Sequence, residues 1–454
     1  MITAKAFAGK HYAVYGLARS GRATVEALLA SGAKVTAWDA NEEARAALLP
    51  SPSGEGLGVG AVQLQRPSHV PHPSIPSPEG EGKLTIADLD TADLTQYDSL
   101  VVTPGLPLNR HPIASRARDA GVEIIGDIEL FARARPELPP HKVVGITGTN
   151  GKSTTTALVH HILKTAGVPT AMGGNIGLPI LAQDPLPEGG VYVLELSSYQ
   201  IDLTQSLDCD IAVLLNITPD HLDRYENIDA YAASKVRLFK MQRIGIAIEM
   251  SVSGEMWRQR EHWGDEPIIH HADLSDQPNW AALQGPHNAQ NAAAATAVCK
   301  ELGLDEEALR QGLRTYPGLP HRMERVRDLN GVTFVNDSKA TNPTATAPAL
   351  AAFKKIRWIC GGQAKTDNLD ECAPHFGHVR SAYTIGEAAD LFERLLSPHM
   401  SVKNCGKLDA AVRAAAADSA AGDTVLLSPA CASFDQFKDF EDRGDQFRAL
   451  VEGL

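Results

Sequence analysis

No stretch of this sequence approaches the roughly 18 consecutive apolar residues that a membrane-crossing helix needs, so no such span is expected. The opening Met1-Ile2-Thr3-Ala4-Lys5 is not followed by the apolar run of a secretory leader, and no secretion signal is expected. Cysteine is scarce. The six in 454 residues are scattered (Cys209, Cys299, Cys360, Cys372, Cys405, Cys431), with no close pair. They read as free, mostly buried thiols of a protein in the reducing cytoplasm. Cations are in deficit: 42 Lys and Arg stand against 55 Asp and Glu, a net charge of −13. A phosphate backbone needs a cationic face, so nucleic acid is not an expected partner. Small anions remain possible ligands, because a few backbone N–H groups at helix ends can hold them. Short internal repeats are absent, which removes the solenoid folds.

What is present is ordinary for a globular chain: 43% apolar and 21% charged residues. The length suggests two or three domains. Strand-like and helix-like segments alternate throughout, the pattern of an α/β fold. Strands are expected at 12–15, 34–38 and 99–102, with a helix at about 20–30 that Gly32 stops. A second unit opens at 142–147, with strands at 192–196 and 211–215 and an Ala-rich helix at 288–299. A third begins near Tyr316, with strands at 332–335, 357–360 and 424–427. Residues 50–83 break the rhythm. They are crowded with Pro, Gly and Ser, show no strand or helix period, and read as a mobile insertion or irregular hairpin.

The strongest signal is Gly145-Ile-Thr-Gly148-Thr149-Asn150-Gly151-Lys152-Ser153, after an apolar strand and before a helix that starts near Thr154. Strand, Gly-rich loop and helix is the context of a phosphate-binding loop. Glycines let backbone N–H groups turn inward, and the helix N-terminus adds positive character. Lys152 is expected to reach the β- and γ-phosphates and Ser153 to offer its hydroxyl to Mg²⁺. In the strict pattern the first glycine would fall at Ile146, so this loop is a variant.

Other residues gather around that expectation. Glu195, at the end of an apolar strand, is the best candidate for a metal carboxylate; a solvated strand-end acid is the alternative. Asp220, His221 and Asp223 follow the next strand and suit a metal or substrate, with helix capping an alternative for Asp220. Asn175, in Gly173-Gly174-Asn175-Ile-Gly177, can bond substrate without adding charge, or can simply be a turn residue. His160 and His161 read as packing or surface residues. Near the start, Gly16-Leu-Ala18-Arg19-Ser20-Gly21 follows a strand, and Asp39 ends the next strand. That nearly matches a dinucleotide fingerprint and would suggest NAD, but Ala18 replaces the glycine where pyrophosphate approaches.

Taken together, Gly148-Thr-Asn-Gly-Lys152-Ser, Leu194-Glu195-Leu-Ser197-Ser198-Tyr-Gln, Asn216-Ile-Thr-Pro-Asp-His221-Leu-Asp-Arg-Tyr and His287-Asn288-Ala-Gln-Asn291 resemble the Mur ligase family. Leu319-Pro-His321-Arg322, Asn336-Asp337-Ser338-Lys339-Ala-Thr341-Asn342 and Ser428-Pro-Ala-Cys-Ala-Ser433-Phe434-Asp-Gln-Phe437 are similar to its D-glutamate-adding branch. The likeness covers nearly the whole chain, apart from 50–83.

The resemblance implies three domains. Residues 1–131 would form a Rossmann-like domain that binds a UDP substrate. Residues 132–317 would form the P-loop ATPase domain with a mainly parallel sheet, and 318–454 a Rossmann-like amino-acid domain that closes over the site. It implies ATP and two Mg²⁺ ions as cofactors, UDP-N-acetylmuramoyl-L-alanine and D-glutamate as substrates, and a monomer without membrane insertion. By resemblance Gly148 to Thr154, Asn291, Arg322 and Asp337 bind ATP. Lys152, Glu195, His221, Asn175 and Lys235 are catalytic. Ser153, Glu195, His221 and a carbamylated Lys235 hold metal; from the residues alone, Lys235 reads as an exposed helix lysine. D-Glutamate brings two carboxylates, which suits Lys339, Lys365 and Ser433, with Thr341, Phe434 and Phe440 beside them. Gly16, Ala18, Arg19, Ser20, Asp39, Thr103, Pro104, Gly105, Asn175 and Ser197 would face the UDP substrate. A folylpolyglutamate-synthase-like ligase, an ATP-hydrolysing regulator and an NAD-dependent oxidoreductase are the competing expectations.

Overall fold

The computed structural model describes residues 1–48, 62–64, 82–218, 220–221, 223–248, 268–270 and 275–454. The chain divides into two compact units, 1–271 with 294–308, and 272–293 with 309–454.

The first unit holds two parallel sheets. Its strands are β1 (His11–Tyr15), β2 (Lys34–Trp38), β3 (Val62–Leu64), β4 (Lys83–Ile86), β5 (Ser99–Val102) and β6 (Glu123–Ile125), then β7 (His141–Thr147), β8 (Thr170–Gly174), β9 (Gly190–Glu195), β10 (Cys209–Leu214), β11 (Gln242–Ile248) and β12 (Ile268–His270). The sheet orders are β3-β4-β2-β1-β5-β6 and β12-β11-β10-β7-β9-β8. In both, the strand order reverses beside the first strand, so the crevices lie at the carboxyl ends of β1 and β5 and of β7 and its neighbours.

The apolar runs follow from burial on both faces. Along β1, Tyr12 and Val14 join one core cluster while Ala13 and Tyr15 join another. The first cluster continues into the second sheet through Tyr192, Leu194 and Leu214, so the two sheets share a core. Polar contacts tie them as well. The Glu129 carboxylate accepts from the backbone N–H of Gln205 and Ser206, at 2.7 and 2.9 Å. Glu137 accepts from those of Lys5 and Ala6.

The second unit contains β13 (Glu324–Leu329), β14 (Val332–Asn336), β15 (Ile356–Gly361), β16 (Val379–Ile385), β17 (Ser401–Gly406) and β18 (Thr424–Leu427). Their order is β13-β14-β18-β15-β16-β17, with β13 antiparallel to β14 and the other pairs parallel. Trp358 and Leu426 face one core cluster, Ile359 and Val425 the other.

The expected strands are present, and the Ala-rich helix spans Pro286–Glu301. One expectation needs correction. Within 50–83, Val62–Leu64 pairs in parallel with β4, and Lys83 already belongs to β4. A three-residue edge strand is too short to show a period against Pro- and Gly-rich flanks. It is also no hairpin partner, since the pairing is parallel. The rest of 50–81 lies outside the described residues. Five of the six cysteines are buried and all are free. Among the described residues, no helix is long and apolar enough to cross a membrane.

Candidate active site

The phosphate loop leaves β7 at Thr147 and enters the helix Lys152–Thr165. Gly148 has φ +153°, and a Cβ there would lie 3.0 Å from Leu215 Cβ and 3.2 Å from Asn216 N. Gly151 sits at φ +84° at the N-cap position, and no side chain caps the helix. The loop is braced from the end of β10. Thr149 N–H donates to Asn216 O, Asn150 N–H donates to Asn216 Oδ1, and Asn216 Nδ2 donates back to Asn150 O, at 2.8 to 3.0 Å. Lys152 Nζ donates to the carbonyls of Gly148 and Thr149, both at 2.8 Å.

Glu195 ends β9, in register with Ile146 of β7. It is 1% exposed, which removes the solvated-acid alternative. Asn175 Nδ2 donates to its Oε1 at 2.8 Å, and Asn175 N–H donates to its backbone carbonyl. Oε2 is buried without a hydrogen-bond partner. Such an oxygen is costly unless a cation meets it. The Thr147 and Thr156 hydroxyls, on β7 and on the helix that follows the loop, are also buried without a partner. This donor chemistry fits Mg²⁺.

Lys235 lies on the helix Ile228–Val236 and is 2% exposed, so it is not a surface lysine. Its Nζ donates to Gly148 O at 2.8 Å and lies 4.7 Å from the Tyr231 ring centroid. Burial, and then the Lys152 ammonium, pull its amine down to about 6. The Tyr231 hydroxyl is 3.1 Å from Thr149 Oγ1 in the loop.

His221 has a left-handed φ of +55° and packs at 5.0 and 6.0 Å from the Tyr199 and Tyr231 rings. Burial lowers its imidazole below the ordinary range, partly opposed by Asp220. Asp220 caps no helix: its Oδ1 accepts from His221 N–H, and the next helix is capped by Asn227. Among the described residues no three His, Cys, Asp or Glu side chains form a metal cluster. On the helix after the loop, His160 lies 3.3 Å from the Thr170 hydroxyl and His161 lies 3.4 Å from the Thr165 hydroxyl.

In the first sheet, Gly16 follows β1 at φ +96°, and a Cβ there would meet Thr103 Oγ1 at 2.3 Å. Both Asp39 oxygens accept backbone N–H groups, from Leu17 at 2.7 Å and Asn41 at 2.8 Å. The helix Arg19–Ala30 starts at Ala18 without a side-chain cap. A cleft of about 570 Å³ is lined there by Ala18, Arg19, Arg22 and Asn41. Arg19 donates to Gly177 O at 2.6 Å, which brings this end to the Asn175 turn. Ser20 is half-buried beside it. Ser197 caps the helix Ser198–Asp202 in a reciprocal capping box with Gln200.

The second unit gathers the remaining residues. Asp337, after β14, is buried; its Oδ1 accepts from Met323 N–H and its Oδ2 from Ser428 Oγ at 2.7 Å. Burial raises its carboxyl to about 7. Lys339 Nζ lies 3.5 Å from the Phe440 ring centroid. Arg443 is fully buried. It donates to Ser338 Oγ and O and to the carbonyls of Cys431 and Ala432, tying the 336–342 and 428–437 loops together. Ser433 is buried next in sequence. Thr341 and Arg322 are half-buried, whereas Lys365 and Phe434 are exposed. Asn291 Nδ2 donates to Asn288 Oδ1 at 3.1 Å. Sequence reasoning assigned no role to Asn216, Tyr231 or Arg443. An amide ending an apolar strand was the only available signal, for Asn216.

A glycine-rich loop that opens a helix at the end of a parallel sheet, with a buried strand-end acid in register beside it, fits an ATP-using ligase. The Mur ligase middle domain matches residues 146–269, and the Mur ligase glutamate ligase domain matches 321–431. The chain belongs to the Mur ligase family. It is 57% identical to a protein of Novosphingobium aromaticivorans over all of this chain and 97% of that one. It is 56% identical to one of Sphingopyxis alaskensis and 51% to one of Zymomonas mobilis, over the full length of both partners. All three are named UDP-N-acetylmuramoylalanine–D-glutamate ligase. Among solved structures, the UDP-N-acetylmuramate-alanine ligase MurC of Thermotoga maritima shares the fold. Its TM-score is 0.57 at 16% identity, over 98% of this chain and 99% of that one. E. coli FolC in complex with ADP matches at TM-score 0.55 and 19% identity, over 77% and 99%.

Proposed function

We propose that this protein is an ATP-dependent ligase that joins D-glutamate to the carboxylate of UDP-N-acetylmuramoyl-L-alanine, in the cytoplasm. The observation that carries the reading is the buried Glu195, with one oxygen held by Asn175 and the other unpartnered, beside a phosphate loop. The names of the relatives supply the substrates.

In the first step the substrate carboxylate attacks the γ-phosphate of ATP, giving an acyl phosphate and ADP. Two unit charges about 4 Å apart repel by roughly 4 kcal/mol at an effective dielectric of 20, so cations must meet them. Lys152 and the loop N–H groups bind the phosphates. Ser153, Glu195, His221 and a carbamylated Lys235 would hold Mg²⁺, which when bound offsets phosphate charge. The low-lying amine of Lys235 supports carbamylation: its neutral form adds to CO₂ and releases a proton. In the second step the D-glutamate amine attacks the acyl carbon, and phosphate leaves through a tetrahedral intermediate. Lys339, Lys365, Ser433, Thr341, Phe434 and Phe440 receive its carboxylates and chain. Asn291, Arg322 and Asp337 serve ATP. The cleft from Gly16 to Ser20, with Asp39 and Thr103 to Gly105, takes the UDP moiety; Ser197 stands at the acceptor's other end.

The test is phosphate release from ATP with each substrate omitted in turn. Release is expected only with both partners present. Release without D-glutamate would indicate an ATP-hydrolysing regulator, and release with L-alanine or a diamino acid in its place a sibling ligase.

A further inference from the structure

His221 sits in a turn whose geometry is unusual for a non-glycine residue, with φ +55°. Arg224 N–H and Tyr225 N–H both donate to His221 O, closing the turn. Three outside contacts hold it there. The Tyr225 hydroxyl donates to Asp202 Oδ2 at 2.8 Å. Asn109 Nδ2 donates to Asp223 O at 3.1 Å. The Arg224 guanidinium lies 4.4 Å from the Tyr199 ring centroid and donates to the carbonyls of Pro104 and Gly105, at 3.1 and 3.2 Å. Two of these three contacts, from Arg224 and Asn109, reach the loop after β5. That loop ends the first sheet's crevice, against which Gly16 packs through Thr103.

We infer that Arg224 is a positioning residue that couples the Thr103–Gly105 loop to the turn bearing His221, so that filling the acceptor's nucleotide cleft sets the phosphate site. The inference rests on the reading that this loop meets the UDP moiety. A planar guanidinium suits the task, because its face stacks on Tyr199 while its edge donates to two successive carbonyls. A carbonyl pair that shifts on nucleotide binding moves the fork, and the fork moves His221, three residues back along the turn. Tyr199 touches both Arg224 and His221, so the ring fixes their spacing. From the turn the contact continues through the Tyr231 ring to Thr149 in the phosphate loop.

The measurement is calorimetric binding of AMP-PNP with Mg²⁺ to the full chain, with and without saturating UDP-N-acetylmuramoyl-L-alanine. Coupling is reciprocal, so the acceptor should tighten the analogue by about fivefold or more in the wild type. In Arg224→Gln the ratio should fall to within about twofold of unity, and Arg224→Lys should lie between. Asn109→Ala, which leaves Arg224 in place, should lower the ratio partway and serves if the arginine variant does not fold. An Arg224→Gln protein that keeps the wild-type ratio, or a wild type that shows no coupling, overturns the inference while leaving the ligase reading intact. A wild type that binds no acceptor overturns both.

Discussion

Glu195 is a carboxylate with one oxygen satisfied and one left alone in the interior, and Lys235 is an amine buried where an ammonium is disfavoured. Each is a poor structural residue and a good functional one. Lys235→Ala should lose most turnover, by about 100-fold or more, and regain part of it when acetate or formate is added. Full activity of the plain variant in a phosphate-release assay would remove the carbamate. Lys365 is exposed in a loop after β15, where an ordinary surface lysine would also sit. Lys365→Ala should raise KM for D-glutamate about 10-fold and leave KM for ATP within about twofold. Equal effects on both would take Lys365 out of the amino-acid pocket. Both lysines were legible as candidates, but neither burial nor exposure was. Sequence placed Lys235 on a helix without saying which face the core covers.

At the scale of elements, the phosphate loop was the most legible part, because its glycines answer to backbone geometry that no other residue meets well. Gly148→Ala puts a methyl 3.0 Å from Leu215 Cβ at a φ of +153°. Displacing a phosphate cradle by a fraction of an ångström should lower kcat/KM for ATP by about 100-fold. Gly167→Ala is the control. It has φ +77° just beyond the same helix, with nothing within 4 Å, so it should cost stability but leave KM for ATP near wild type. A comparable loss of kcat/KM in both variants would mean that the loop carries no special constraint. The strands buried on both faces were legible for a similar reason: runs such as Ser99–Val102 have no polar face to hide. The edge strand β3 was not, and neither was the ring cluster of Tyr199, Tyr225 and Tyr231. Those rings come from two helices and the turn before the second, and no period in the chain marks them.

Over the whole molecule, a net charge of −13 frames the handling of anionic substrates, and two cations are held in the interior: Lys235, and Arg443, which burial lowers to about 10. The same burial acts in the opposite sense on acids, and this gives the fold a pH dependence. Asp337 has its carboxyl raised from an ordinary value of 3.8 to about 7, with burial the largest cause. Between those values the folded protein holds a proton that the unfolded chain has released. Stability therefore falls as pH rises from about 4 to about 7, and is flat above. At roughly 1.4 kcal/mol per unit, the full shift sets a ceiling of about 4 kcal/mol, with the bonds from Ser428 and Met323 already included in it. Asp127, raised to about 6 in the other unit, slopes the same way, so only a comparison isolates Asp337. Asp337→Asn keeps a neutral group of nearly the same shape and should remove this part of the slope. Thermal unfolding of wild type and variant at pH 5, 6, 7 and 8 reads it directly. The wild type should lose Tm relative to the variant with each step up to pH 7, and little more between pH 7 and pH 8. A Tm difference that stays constant across the series would mean that Asp337 is ionised in the folded protein at all four pH values.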